Sequence, residues 1–273
     1  MSINIRKASG EIEPFSEDKV RGSLSRARID KGIQNKLVER LSPRLYEGIT
    51  TKKIYSLVYG WLKDDRPYLA SRYNLKRAIM ALGPTGYPFE QFVAGVLTHY
   101  GFKTVVSQIV KGNCVSHEID VLAQKSNTRY MGECKFHNRQ GIKTDIKTVL
   151  YINARFLDIK GTPIDFFGKK TVNQALLATN TKLTSQAVAY CRCRKMQVIS
   201  WDYPQEFSLR ELVEKGSLHP VTCLSSLSRK EKQLLLGKGF VFCYQLAEGG
   251  NWYSLVARNK LEAVRTEAEL VVK

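Results

Sequence analysis

The chain has 273 residues, 43% of them hydrophobic and 25% charged, which excludes a fibrous or disordered protein and provides material for two or three separate cores. Lys and Arg number 43 against 25 Asp and Glu, a net charge of +18, and a field of that sign favours a polyanionic partner, nucleic acid first. Six scattered cysteines in so long a chain exclude a disulfide-stapled miniprotein and predict free thiols; with no apolar run of about 18 residues and no apolar leader, the expectation is a soluble cytoplasmic protein that does not engage a membrane.

The basic excess lies early: 17 basic against 9 acidic side chains over residues 1–85 and 16 against 8 over 86–205, but 10 against 8 over 206–273. Two short strands are predicted near residues 4–6 and 11–13, joined through Ser9-Gly10. Ser16 reads as a helix N-cap with Glu17 and Asp18 behind it, and apolar spacing predicts further helices over 33–46, 53–61 and 68–82. Gly83-Pro84-Thr85-Gly86-Tyr87-Pro88 ends that pattern and marks a boundary.

Beyond it come a helix over 89–100 closed by Gly101, strands over 103–110, 117–123 and 129–136, a helix over 145–156, a strand over 174–179, a helix over 184–193 and a strand over 196–200. This alternation predicts an α/β core with a central sheet flanked by helices. Residues 206–273 are expected to form a small, mainly helical tail, with helices near 209–213 and 229–236, a stop at Gly237-Lys238-Gly239, and loose patterning after that. The fold class expected is therefore multidomain α/β: a mostly helical α+β unit over 1–85, an α/β core over 86–205, and a third unit over 206–273 that could assist DNA binding.

Within the core, His117-Glu118-Ile119-Asp120-Val121 and Tyr130-Met131-Gly132-Glu133-Cys134-Lys135-Phe136 set acids among apolar neighbours on two successive strands. Strand alternation places Glu118 and Asp120 on one face with Ile119, Val121 and Ala123 on the other, and puts Glu133 and Lys135 together, so Asp120, Glu133 and Lys135 can converge across neighbouring strands. Two carboxylates suit magnesium, and an ammonium beside them suits the orientation of an attacking water, which is what phosphodiester hydrolysis requires. A lone Glu-x-Lys would be an ordinary salt-bridged strand, but the apolar flanks here point to a buried sheet in which unpaired charge is costly. The competing pair Cys114-x2-His117 and Cys134-x2-His137 has zinc-like spacing, yet residues three apart on a strand face opposite ways.

These residues, with the helix carrying Pro88-Phe89-Glu90-Gln91-Phe92, make residues 86–205 resemble the Mrr-like branch of the PD-(D/E)XK restriction endonuclease superfamily. The resemblance implies a restriction-endonuclease-like fold, Asp120 and Glu133 as magnesium ligands, Lys135 as assistant to the water, Glu90 as the acidic residue of the first helix, and DNA as substrate. His117-Glu118 stands where many relatives carry glycines, which makes Glu118 a candidate extra ligand.

The opening Ile5-Arg6-Lys7-Ala8-Ser9-Gly10 and Glu13-Pro14-Phe15-Ser16-Glu17-Asp18-Lys19-Val20 resemble the ATP-cone domain of ribonucleotide reductases and their repressor, over about residues 1–82. The resemblance implies that Lys7, Glu13, Pro14, Phe15, Ser16, Glu17, Asp18, Lys19 and Thr51 contact ATP or dATP as an effector; the family's basic residue on the last helix falls at Met80. The expectation is thus a magnesium-dependent DNA endonuclease with a nucleotide-sensing module, paired as a homodimer if both strands are cut. A DNA-binding regulator with a non-cutting core, and a junction-specific nuclease, stay open.

Overall fold

The computed structural model describes residues 3–273. The protein is mixed α/β, about half helical, with mixed sheets and a helical C-terminal end, and no described helix is long and apolar enough to cross a membrane. The chain divides into two compact units, one built from Met1–Ile79, Arg139–Gly141 and His219–Lys273, the other from Met80–Asn138 and Ile142–Leu218.

The first unit opens with β1 (Asn4–Arg6) and β2 (Ile12–Pro14), antiparallel across a turn in which Gly10 takes φ +87°, where only glycine sits without strain. Helices α1 (Glu17–Arg26) and α2 (Lys31–Leu41) follow, capped by Ser16 and Asp30, whose side chains accept the N–H of Lys19 and Ile33. Strand β3 (Ile49–Thr50) pairs parallel with β1, and Thr50 caps α3 (Thr51–Asp65). The helix expected over 33–46 ends at Leu41, because Pro43 has no N–H for a continuing helical bond and leaves a 3-10 turn. The helix expected over 68–82 is two pieces, α4 (Pro67–Tyr73) and α5 (Leu75–Met80), separated at Asn74, whose side-chain oxygen accepts the Tyr55 hydroxyl at 2.6 Å. Leu24, Leu41, Ile49, Val58 and Ala70 fill the core between these elements.

The second unit holds α6 (Tyr87–His99), β4 (Lys103–Lys111), β5 (Ser116–Lys125), β6 (Thr128–Lys135), β7 (Lys143–Thr144), α7 (Ile146–Ile159), β8 (Gln174–Thr179), β9 (Lys182–Leu183), α8 (Ser185–Cys193), β10 (Gln197–Ile199) and α9 (Leu209–Gly216). Its main sheet runs β10-β8-β6-β5-β4: β4, β5 and β6 form an antiparallel meander, and β6, β8 and β10 are parallel, linked by the crossovers through α7 and α8. Asp145 and Thr184 cap α7 and α8. Val149 and Ile152 of α7 and Ala187 and Cys191 of α8 bury against Ile119, Leu122, Met131, Ala175 and Leu177 of the sheet.

Residues 206–273 are not a separate third unit. Residues up to Leu218, with α9, belong to the second unit, and those from His219 return to the first. There α10 (Arg229–Gly237), α11 (Cys243–Ala247) and α12 (Leu261–Val272) follow, the last in a stretch where the sequence predicted only loose pattern. Val264, Ala268 and Val271 of α12 are fully buried there, and polar contacts tie the helix down. Glu267 of α12, buried, accepts the Ser71 hydroxyl of α4 at 2.6 Å, the Ser225 N–H at 2.8 Å and the Ser226 N–H at 2.9 Å, while Arg72 donates to the carbonyls of Val271 and Leu270. A carboxylate removed from water needs those donors, so α12 is stable against α4 and not as a free tail.

Candidate active site

The β5–β6 hairpin is in register from Lys125↔Thr128 to Val121↔Gly132. At that last pair the strands come so close that a Cβ on Gly132 would meet the Val121 carbonyl oxygen at 2.8 Å. One step further the ladder stops. The next facing positions are Asp120 and Glu133, and in place of a backbone bond the Asp120 carboxylate accepts the Cys134 N–H at 2.7 Å. The two acids are therefore brought together where the strands part.

On the other side of β5, β4 pairs at Val106↔Val121 and Gln108↔Ile119 but not at the position between, where Ser107 faces Asp120 with φ +51°. A non-glycine residue in that left-handed region costs about 1 kcal/mol. The interruption also shifts the side chains: Ile119 and Leu122 lie in the same core cluster, which regular alternation forbids. The expected face of Ile119, Val121 and Ala123 is accordingly broken at Asp120. Ser107 turns its hydroxyl to Glu90 of α6, donating at 3.4 Å.

Glu133 is 9% exposed and meets Arg155 of α7, whose Nη1 contacts both carboxylate oxygens while Nη2 reaches the Glu118 carbonyl. Burial and then the charge of Asp120 raise the Glu133 carboxyl, outweighing Arg155. Asp120 is raised by burial against the opposing Cys134 N–H and Arg155. Glu90 is pushed to about 7, by burial first, then by the Asp120 charge, with Glu118 adding to it and the Ser107 hydroxyl opposing. Glu90, Asp120 and Glu133 thus form one electrostatic group, short of positive charge.

Lys135 ends β6 two residues beyond Glu133 and is exposed. Its strand end is fixed from behind, a feature the sequence reading missed. Thr179 donates its hydroxyl to the Lys135 carbonyl at 2.7 Å, and the buried hydroxyls of Thr144, Thr179 and Thr181 bond one another at 2.9–3.2 Å. Asn180 clamps the next turn, accepting the His137 N–H at 2.9 Å and donating to its carbonyl at 2.7 Å.

His117 pairs with Asp158 of α7 at 2.7 Å, Asp158 also accepts the Cys114 N–H at 2.8 Å, and among the described residues no group of three or more His, Cys, Asp and Glu could hold a metal. Magnesium at this site would therefore have two protein carboxylates, Asp120 and Glu133. Such a donor set suits it, since magnesium keeps several waters and is commonly held by one or two carboxylates plus phosphate oxygens.

In the first unit Lys7 and Lys19 converge, but on Glu13: Lys7 Nζ lies 2.7 Å from its carboxylate and 3.3 Å from that of Glu11, and Lys19 Nζ lies 2.9 Å from Glu13. The lysine hydrogen bonds, Lys7 first, lower the Glu13 carboxyl. Pro14 ends β2 opposite Asn4, half-buried Phe15 packs on the core, Glu17 pairs with Arg21, Asp18 is exposed in the first turn of α1, and Thr51 opens α3. Near Met80, Arg77 lies over the Tyr55 ring, 3.6 Å from its centroid.

A family model described as AF1548-like, C-terminal, matches residues 219–272. The chain is 36% identical over 158 residues to an uncharacterised protein of Archaeoglobus fulgidus, a match spanning 58% of this chain and 85% of that one. A crystal structure described as that of a protein of unknown function, AF1548, aligns with a TM-score of 0.58 at 34% identity, over 69% of this chain and 98% of its own. These relatives carry no assigned activity. By the extent and identity of these matches, the chain belongs to the AF1548-like family.

Proposed function

We propose that the second unit is a magnesium-dependent DNA endonuclease of the Mrr-like PD-(D/E)XK type, acting in the cytoplasm. The observation that carries the reading is the convergence of Asp120 and Glu133 where the β5–β6 ladder opens, part-buried, with the carboxyls of both raised by burial and Glu90 beside them. Bound there, magnesium would polarise a phosphate oxygen and lower the pKa of a bound water.

The chain's own groups have separable tasks. The Cys134 N–H fixes the Asp120 carboxylate beside that of Glu133. Lys135, held by Thr179 through its carbonyl, orients the attacking water; Glu90, titrating near neutrality, holds or releases a proton. A net charge of +18 draws the polyanionic substrate. Because one such centre cuts one phosphodiester bond, double-strand cleavage would pair two copies.

We also propose that residues 1–85 act as an ATP-cone, with ATP or dATP phosphates exchanging for Glu13 at Lys7 and Lys19 near the N-terminus of α1. The test is plasmid nicking with magnesium, with and without ATP or dATP. Nicking that Asp120→Asn abolishes, while DNA binding persists, is the expected result. DNA binding without nicking would select the second reading, a nucleotide-responsive regulator, which is favoured by the occupation of Glu133 by Arg155.

A further inference from the structure

We propose that Arg155 is the site's own stand-in cation: its guanidinium holds the Glu133 carboxylate until a divalent ion displaces it, so that Arg155 sets the metal affinity of the centre. The inference rests on the nuclease reading of Asp120 and Glu133. Nη1 contacts both oxygens of Glu133 and Nη2 the carbonyl of Glu118, so the guanidinium sits across the front of the carboxylate that a metal would have to approach. A guanidinium stays charged at every accessible pH, and two cations cannot share that front without strong repulsion. Metal entry therefore requires the side chain to move.

The structure gives it somewhere to go. Tyr151, one turn earlier on α7, is 61% exposed, and its ring centroid already lies 5.3 Å from the guanidinium, so a swing outward over that ring gives up the ion pair while keeping a cation–π contact. The helix itself need not shift. Asp145 caps it, and Val149, Ile152 and Ile159 anchor it in the core. Arg155 is thus a positioning residue that acts through Glu133.

Mn2+ serves as the probe, its free fraction read by electron paramagnetic resonance, in mildly alkaline buffer where protons compete least for the carboxylates. The full chain is compared with Arg155→Met, Arg155→Lys and Asp120→Asn. Asp120→Asn should lose the bound ion. Arg155→Met should bind it about ten- to a hundredfold more tightly than the native chain, the worth of one charge-assisted pair; Arg155→Lys, which keeps the charge but not the fork, should fall between. Should Arg155→Met fail to melt cooperatively, Arg155→Lys alone carries the comparison. Affinity unchanged or weakened in the Arg155 variants, with Asp120 still required, overturns the stand-in role and leaves the metal site intact. Absence of any Asp120-dependent Mn2+ binding in all the proteins overturns both.

Discussion

Asp120→Asn should stabilise the second unit in metal-free alkaline solution while abolishing its response to magnesium. Asp120 and Glu133 occupy the facing positions just past Val121↔Gly132 on antiparallel strands, where opposed Cβ atoms lie about 5 Å apart. Two unit charges at that separation repel by about 3 kcal/mol at an effective dielectric of about 20. Arg155 on Glu133 and the partial solvent access of Asp120 reduce this to about 1–2 kcal/mol, or about 3–6 °C in melting temperature for a unit of this size. Asparagine keeps an oxygen to accept the Cys134 N–H, so the hydrogen bond survives.

The pH dependence follows from the direction of the shifts. Both carboxyls are raised, so the folded state holds protons that the unfolded chain has released, and the stability present in acid is lost as pH rises through the folded-state values. The advantage of Asp120→Asn should vanish in acid and be full in alkali. Saturating magnesium should reverse the order, stabilising the native chain by about 2.7 kcal/mol at a hundredfold excess over the dissociation constant and the variant hardly at all. Calorimetric melts with EDTA or magnesium, in acid and in alkali, measure all four corners. A variant less stable than the native chain in alkaline EDTA, or one stabilised equally by magnesium, would refute the reasoning.

Glu90→Gln should flatten the fall in stability between the ordinary carboxyl value of 4.5 and about 7; after discounting for partial exposure, urea melts on either side of that window should differ from the native chain by about 1–2 kcal/mol. Glu267→Gln should destabilise the first unit by about 2–4 kcal/mol, because an amide cannot accept the Ser71, Ser225 and Ser226 donors on both oxygens, and limited proteolysis should then release residues 219–273 first. Thr179→Val should cost about 1–2 kcal/mol by taking the hydroxyl donor from the Lys135 carbonyl and one partner each from Thr144 and Thr181, and nicking should fall further than stability accounts for. Lys19→Ala should weaken ATP or dATP binding about tenfold in equilibrium dialysis, the loss of one charge-assisted contact.

The parts of this protein that were legible in its sequence are those with a short period. Alternation placed β5 and β6, the Ser16 cap placed α1, and apolar spacing placed α7 and α8, since each signal lies within a few residues of its effect. Asp120 and Glu133 were legible for the same reason, as both belong to one hairpin. What stayed hidden depends on distant partners. Ser107 gives no local sign of a left-handed backbone; it takes one opposite the acid that interrupts the ladder. Arg155 lies in an amphipathic run whose pattern fixes the helix but not which strand residue its guanidinium will meet, 22 positions away. The tail was misread on the same account, since Glu267 looks like a surface glutamate until Ser71, 196 residues earlier, is brought to it. At the site this division has a chemical consequence. The carboxylates that could bind a metal come from neighbouring strands and fold together, whereas the cation that answers one of them comes from a separate helix, anchored through Asp145, Val149, Ile152 and Ile159 and not through its guanidinium.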